Sequence, residues 1–449
     1  MSILILFLTM GSQCIFAQYA KEYKALSYSY KPASKNKALF MKKINAVYVP
    51  LAKEKQIVSA YKDYLFYLHQ WHGELSKSKA FIADTTTTHY LQRVLDSVMH
   101  LNGIQTNYEV VLTRFSVANA FNMGDYRLYI NIGLFKCLDN EAQLAYVICH
   151  ELAHKMLNHA ELKFIAKQKE KDDKKKKKEI RSIERAKYNK LDRAVNYARQ
   201  NEYNYAQYSR VNEYQADSLA LVLMMKSNYD LKEIKQLFEN LDASDSINTP
   251  VPVVKFFNNE TYQINTEWLN DSEYKIDFGN ASLYEFDKDS LKTHPDMKNR
   301  YEKVDSLLLV WKYVEQDKKK YILSDSVFKH ITFCADFEEL EILKLNKRYA
   351  SIIFHAMDLV EKYPHMTYLH KTIAENLKNI YTAFETHKLH KHIPLESEQM
   401  SDYYKELLRI IYHCSLNDYK LLCKAYCDNY KNELATFSDI NNWYHEISK

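Results

Sequence analysis

Six glycines and seven prolines in 449 residues leave this chain few places to reverse sharply. Glycine supplies left-handed backbone and proline punctuates helices, and a fold built from many short strands needs such residues at nearly every turn. Helix must therefore predominate. The composition, 47% hydrophobic and 27% charged, excludes disorder, collagen-like sequence and loop-dominated all-β folds. The length exceeds one usual compact domain, so a main core with one or two smaller helical units is expected. A net charge of +5, with much of the lysine excess local, does not point to a nucleic-acid partner.

The first 17 residues, MSILILFLTMGSQCIFA, form a short apolar run that ends in a small residue and gives way to polar, lysine-bearing sequence. They read as a signal peptide cut after Ala17, with an uncleaved anchor as the alternative. Cys14 is preceded by Gln13 where a lipoprotein signal wants a small residue. Later segments fall short of the ~18 consecutive apolar residues of a membrane span, so the expected mature chain is exported, periplasmic or secreted, and without a transmembrane segment. Cys137, Cys149, Cys334, Cys414, Cys423 and Cys427 are too few for a disulfide scaffold. Cys423 and Cys427, four apart in a helical stretch, are expected to be small apolar residues.

Ile57–Leu75 has mostly helical periodicity; Asp84 and the following threonines offer caps to a helix whose Leu91, Leu95 and Val98 share a face. Tyr108–Phe115 and Arg127–Ile132, separated by a break at Asn122–Asp125, predict a strand pair, expected antiparallel. Asn140 caps an apolar helix that runs through HELAHKMLNH. A strongly charged stretch, including Lys174–Lys178, separates it from a second apolar helix over Tyr208–Met225 and reads as a solvated helical insertion. Amphipathic stretches such as Ile352–Tyr363 and Tyr403–Tyr412 predict a helical C-terminal part. The division expected is a leader (1–17), a helical N-terminal segment (18–85), a domain over 86–302 with an insertion at about 163–207, and a helical domain over 303–449.

In HELAH, His150 and His154 stand four apart, so on a helix both imidazoles project from one face and can bind a single zinc ion. Glu151 lies beside them as a general base, taking a proton from the attacking water and returning one to the leaving amine. A catalytic zinc needs a third protein ligand. Leu157 and Ala160 stand where metzincins have glycine and histidine, which excludes that class. His159 would lie about 140° round the helix from His154, a structural or supporting position. Glu213, in RVNEYQADSLAL, is the better ligand. Asp217 lies one turn later and can hold the far nitrogen of a ligand histidine.

Together these pieces resemble the M48 peptidases, which include the CAAX prenyl protease, heat-shock protease relatives and soluble periplasmic members. The resemblance covers about residues 86–302. ANAFNMGDYRLYINIGLF, CHELAHKMLNHAE, SRVNEYQAD and THPDMKNR carry it. It implies His150, His154 and Glu213 as ligands of one zinc, Glu151 as base and Asp217 behind the ligands. It also implies that Asn119, Ala120 and Phe121 lie on an edge strand where an extended peptide pairs through its backbone. His294 and Arg300 become cleft residues that stabilise the oxyanion or gate the metal. Ala153 replaces the family's usual glycine, and Asn122-Met123 its usual proline-glycine; neither change removes a catalytic group.

The fold expected is α+β and predominantly helical: a zincin-like metallopeptidase core with a small antiparallel sheet and a helical C-terminal unit. The function expected is a zinc endopeptidase acting on exported or misfolded envelope proteins, with a protein partner conceivable for the C-terminal domain. The alternative is a chaperone-like assembly factor whose zinc site is gated or structural. GxGxxG, GxxxxGK[ST] and GxSxG are all missing from the sequence, which argues against dinucleotide, P-loop and α/β-hydrolase chemistry.

Overall fold

The computed structural model describes residues 23–28, 35–172, 178, 181–182, 185, 209–244, 250–269, 297–313, 318–397 and 400–448. Residues 1–17, expected to be a leader, His294 and most of the charged insertion lie outside the described residues. The chain divides into two compact units, one formed by Leu26–Ser246 with Asn280–Ala335, the other by Met1–Ala25, Ile247–Gly279 and Asp336–Lys449.

The first unit contains helices α1 (Lys37–Val47), α2 (Lys55–Lys77), α3 (Thr85–Leu101), α4 (Glu141–Met156), α5 (His159–Asp172), α6 (residues 209–226), α7 (Glu233–Ser244) and α8 (Met297–Val310). Its sheet has four strands, β1 (Phe81–Ile82), β2 (Glu109–Thr113), β3 (Ala120–Asn122) and β4 (Arg127–Asn131), in the order β1-β2-β4-β3. The protein is thus α+β and mostly helical, as expected. The expected antiparallel pairing of the two longer strands needs correction. β2 and β4 are parallel, with Glu109 opposite Arg127 and Thr113 opposite Asn131. The chain reverses twice between them, once in residues 114–119 and once at Gly124 (φ +93°), and β3 runs antiparallel to β4 between the two reversals. Only the second reversal carries a glycine, so only it was legible in the sequence.

Side chains instead hold the first reversal. The Thr113 hydroxyl donates to Asn131 Oδ1 (2.8 Å), Asn131 Nδ2 donates to the Val117 carbonyl (3.1 Å), and the Gly133 amide donates to the Phe115 carbonyl (3.0 Å). A Cβ at residue 133 would lie 1.9 Å from the Ser116 carbonyl oxygen, so glycine is required there for close approach rather than for a turn.

Both faces of the sheet are covered. On one face Phe81, Val111 and Tyr129 pack with Trp71 and Leu75 of α2 and with Phe121 of β3. The opposite face, with the fully buried Leu112, Leu128 and Ile130, meets α3 and α4. In α3, Asp84 caps the first turn by accepting from the Thr87 amide (2.9 Å), and Leu91, Leu95 and Val98 are all buried.

In the second unit α9 (Tyr349–Lys362) packs on α10 (Thr367–Glu385), which also meets α11 (Leu416–Asn429) and α12 (Ser438–Ile447). Ser415 and Asp418 form a reciprocal capping box at the start of α11. Cys137, Cys149, Cys334, Cys414, Cys423 and Cys427 are buried, in keeping with an apolar packing role.

Candidate metal centre

Helix α4 is fixed at its start before it contributes any chemistry. Asn140 accepts from the amides of Ala142 (3.1 Å) and Gln143 (3.2 Å), as the sequence suggested. Glu141, fully buried at the first helical position, is a junction the sequence reading missed. Its carboxylate accepts from the hydroxyls of Tyr90 (2.8 Å) and Tyr229 (2.7 Å) and from the amides of Ile322 (3.0 Å), Leu323 (2.9 Å) and Ser324 (3.1 Å). A carboxylate at a helix N-terminus also suits the macrodipole. Ala142, Leu144, Ala145, Ile148 and Leu152 anchor the apolar side of the helix in the core.

One turn apart on α4, the His150 and His154 Nε2 atoms are 3.0 Å apart. Glu213, on α6, places Oε2 3.3 Å from His150 Nε2 and Oε1 3.4 Å from His154 Nε2. The three residues form a cluster able to hold a metal ion. Ligands ~2.0–2.2 Å from a tetrahedral zinc are separated by roughly 3.3 Å, so the observed spacings fit such an ion with little rearrangement. His150, Glu151 and Glu213 are buried and His154 is partly exposed, which leaves one side of the cluster accessible.

Asp217 lies one turn beyond Glu213 and accepts from His150 Nδ1 at 2.9 Å, which directs Nε2 towards the cluster. Two further donors hold Asp217: the Tyr146 hydroxyl (3.1 Å) and Arg300, whose Nε and a terminal nitrogen reach its two oxygens at 2.8 and 2.6 Å. Arg300 also lies 3.5 Å from Glu213 and over the Phe238 ring. Arg300 is 5% exposed, and its guanidinium is engaged with Asp217, behind the ligands. The arginine was found through the resemblance, whereas its partner becomes visible only once α8 (Met297–Val310) is folded against α7. Tyr146 was missed, although it lies one turn before His150 on the same helix.

The electrostatics suit a cation. Burial disfavours ionisation of Asp217, but Arg300 and His150 outweigh it and hold the carboxyl well below the usual range. Burial pushes His154 down to about 4, so its ring is neutral, the form a metal requires. His150 is pushed up to about 10 because Asp217 and Glu213 overcome the effect of burial. Those carboxylates draw positive charge to this point.

Strand β3 lies at the sheet edge, packed against α4. Ala120 is buried and Phe121 stacks on Tyr129 at 5.0 Å, so the strand is firmly seated; Asn119 precedes it and accepts from the Asn131 amide (3.0 Å). Lys155, directly after His154, donates to the Gly124 carbonyl and so ties the β3–β4 turn to the helix that carries the histidines.

The model of peptidase family M48 matches residues 85–308. The Beta-barrel assembly-enhancing protease of Escherichia coli (strain K12) is 30% identical over 95 residues, 21% of this chain and 19% of that protein. The proteins of the same name from Shigella flexneri and Escherichia coli O157:H7 match to the same extent. The chain thus aligns with about a fifth of the length of these curated relatives (19%). Through residues 85–308 the chain belongs to peptidase family M48, a family of metallopeptidases.

Proposed function

We propose that the protein is a zinc endopeptidase whose ion is held by His150, His154 and Glu213. The observation that carries this reading is the convergence of two imidazole nitrogens and a carboxylate at 3.0–3.4 Å, with Glu151 buried beside them on the same helix. Zinc, when bound, would supply a Lewis acid that polarises the scissile carbonyl and makes water nucleophilic at neutral pH. Glu151 takes the proton from the attacking water and delivers it to the departing amine. Asp217, braced by Arg300 and Tyr146, keeps His150 aimed. Arg300 is in this account a positioning residue, and His294 keeps only the role suggested by its place in the sequence.

An extended substrate adds to the β3 edge at Asn119, Ala120 and Phe121, so recognition rests mainly on backbone hydrogen bonds and side-chain selectivity is broad. Exported or misfolded envelope proteins are the substrate class, supported by the leader-like first 17 residues and by relatives named for β-barrel assembly. An exported location, periplasmic or secreted, belongs to the same reading. Among the described residues, no helix is long and apolar enough to cross a membrane.

The test is metal content and activity together. The purified chain should carry one zinc and cleave an unfolded protein. Chelation should stop cleavage and zinc should restore it, while Glu213→Gln should lower zinc content. Full activity after zinc is stripped would refute the reading.

A further inference from the structure

His159 is close to a ligand without joining the cluster, and the backbone takes an unusual path to put it there. On a straight helix its ring would point about 140° away from that of His154. Helix α4 instead ends at Met156, Asn158 adopts φ +55°, and α5 begins at His159. The expected continuous helix through HELAHKMLNH is thus broken, by a residue type that tolerates left-handed backbone. The break swings the His159 ring back onto His154. Their ring centroids lie 4.9 Å apart with planes at 76°, and their Nδ1 atoms are 2.9 Å apart.

The other side of His159 fixes its hydrogens. Nε2 lies 3.1 Å from Gln215 Oε1, on α6 two residues after Glu213. A carbonyl oxygen only accepts, so the hydrogen of a neutral His159 is on Nε2 and its Nδ1 offers a lone pair. The hydrogen in the 2.9 Å contact must then come from His154 Nδ1, leaving His154 Nε2 free of hydrogen. That nitrogen faces His150 and Glu213 at 3.0 and 3.4 Å.

We propose that His159, oriented by Gln215, is a positioning residue that fixes the tautomer and ring direction of His154 as a metal ligand. The inference rests on the zinc reading of the cluster. It gives the two ligand histidines unlike supports: a carboxylate braced by arginine behind His150 and a neutral imidazole behind His154. It also gives the kink at Asn158 a purpose, since the relay cannot form without it.

Zinc affinity of the full chain, measured by competition with a chromophoric chelator, tests the proposal. His159→Ala should bind zinc about 10–100-fold more weakly than the native chain. His159→Asn places an amide oxygen near the Nδ1 position, can accept the same hydrogen, and should return to within about threefold of native. His159→Gln carries its amide at the Nε2 position and should stay weak. Thermal midpoints of the chelator-treated variants separate loss of the relay from loss of the fold, and the Asn–Gln comparison stands even if the alanine variant does not fold. Native affinity in His159→Ala, or equal affinity in the Asn and Gln variants, overturns the proposal. A native chain that takes up no zinc overturns the zinc reading itself and this inference with it.

Discussion

At the residue scale, the centre is built from short-range pairs that one helical turn creates and long-range pairs that only folding creates. His150 with His154, and Glu213 with Asp217, are four-residue pairs, so the sequence could place each on one helix face. The join between Asp217 and Arg300 spans 83 positions and leaves no periodic trace. That is why Arg300 was legible as a residue but its partner was not. Arg300→Lys keeps the charge and loses the planar fork, so it should lower zinc affinity about tenfold. If kcat fell while zinc affinity stayed native, the guanidinium would be acting on the substrate instead. The difference can be read from a zinc titration run beside steady-state kinetics.

At the scale of elements, the approach of the 114–119 loop to Gly133 determines where β3 lies. Gly133→Ala must push that loop away, because the new methyl would sit 1.9 Å from the Ser116 oxygen. A loss of about 1–3 kcal/mol in urea denaturation is expected, together with weaker cleavage of extended substrates. Unchanged stability and cleavage would show that the loop does not depend on this contact. The parallel β2–β4 pair teaches a related lesson: a reversal made by Thr113, Asn131 and a close glycine lacks the turn residues that sequence reading relies on. In the helical unit, His370 on α10 is 2% exposed, packed against the tilted Tyr430 ring and bonded through Nδ1 to the Tyr426 hydroxyl at 3.1 Å. Burial pushes its pKa down to about 4 despite the opposing charge of Glu433. Its unfolded value is about 6.5, so the unfolded chain takes up the proton first and stability falls as pH drops from about 6.5 towards 4. The cost is on the order of 3 kcal/mol at the acid end. His370→Gln should remove this share of the acid sensitivity, measured as the difference between urea midpoints at pH 7 and pH 5; an unchanged difference would place the sensitivity elsewhere.

At the scale of the whole molecule, the family match over residues 85–308 lies largely within the unit that carries the cluster. Beyond the match, the helices of the other unit are amphipathic and one of them starts at the Ser415 capping box, so their helical character was legible in the sequence. The unit's role was not, because an amphipathic helix reports that a face is buried and not what the unit recognises. The claim on which the account turns is that Glu151 moves the proton in a zinc-dependent cleavage. The direct measurement is hydrolysis of casein by the zinc-loaded chain beside a Glu151→Gln variant shown to be folded and to hold the same zinc. The account predicts a loss on the order of 10²–10⁴ in the variant's rate with zinc content unchanged; equal cleavage by the two proteins would contradict it.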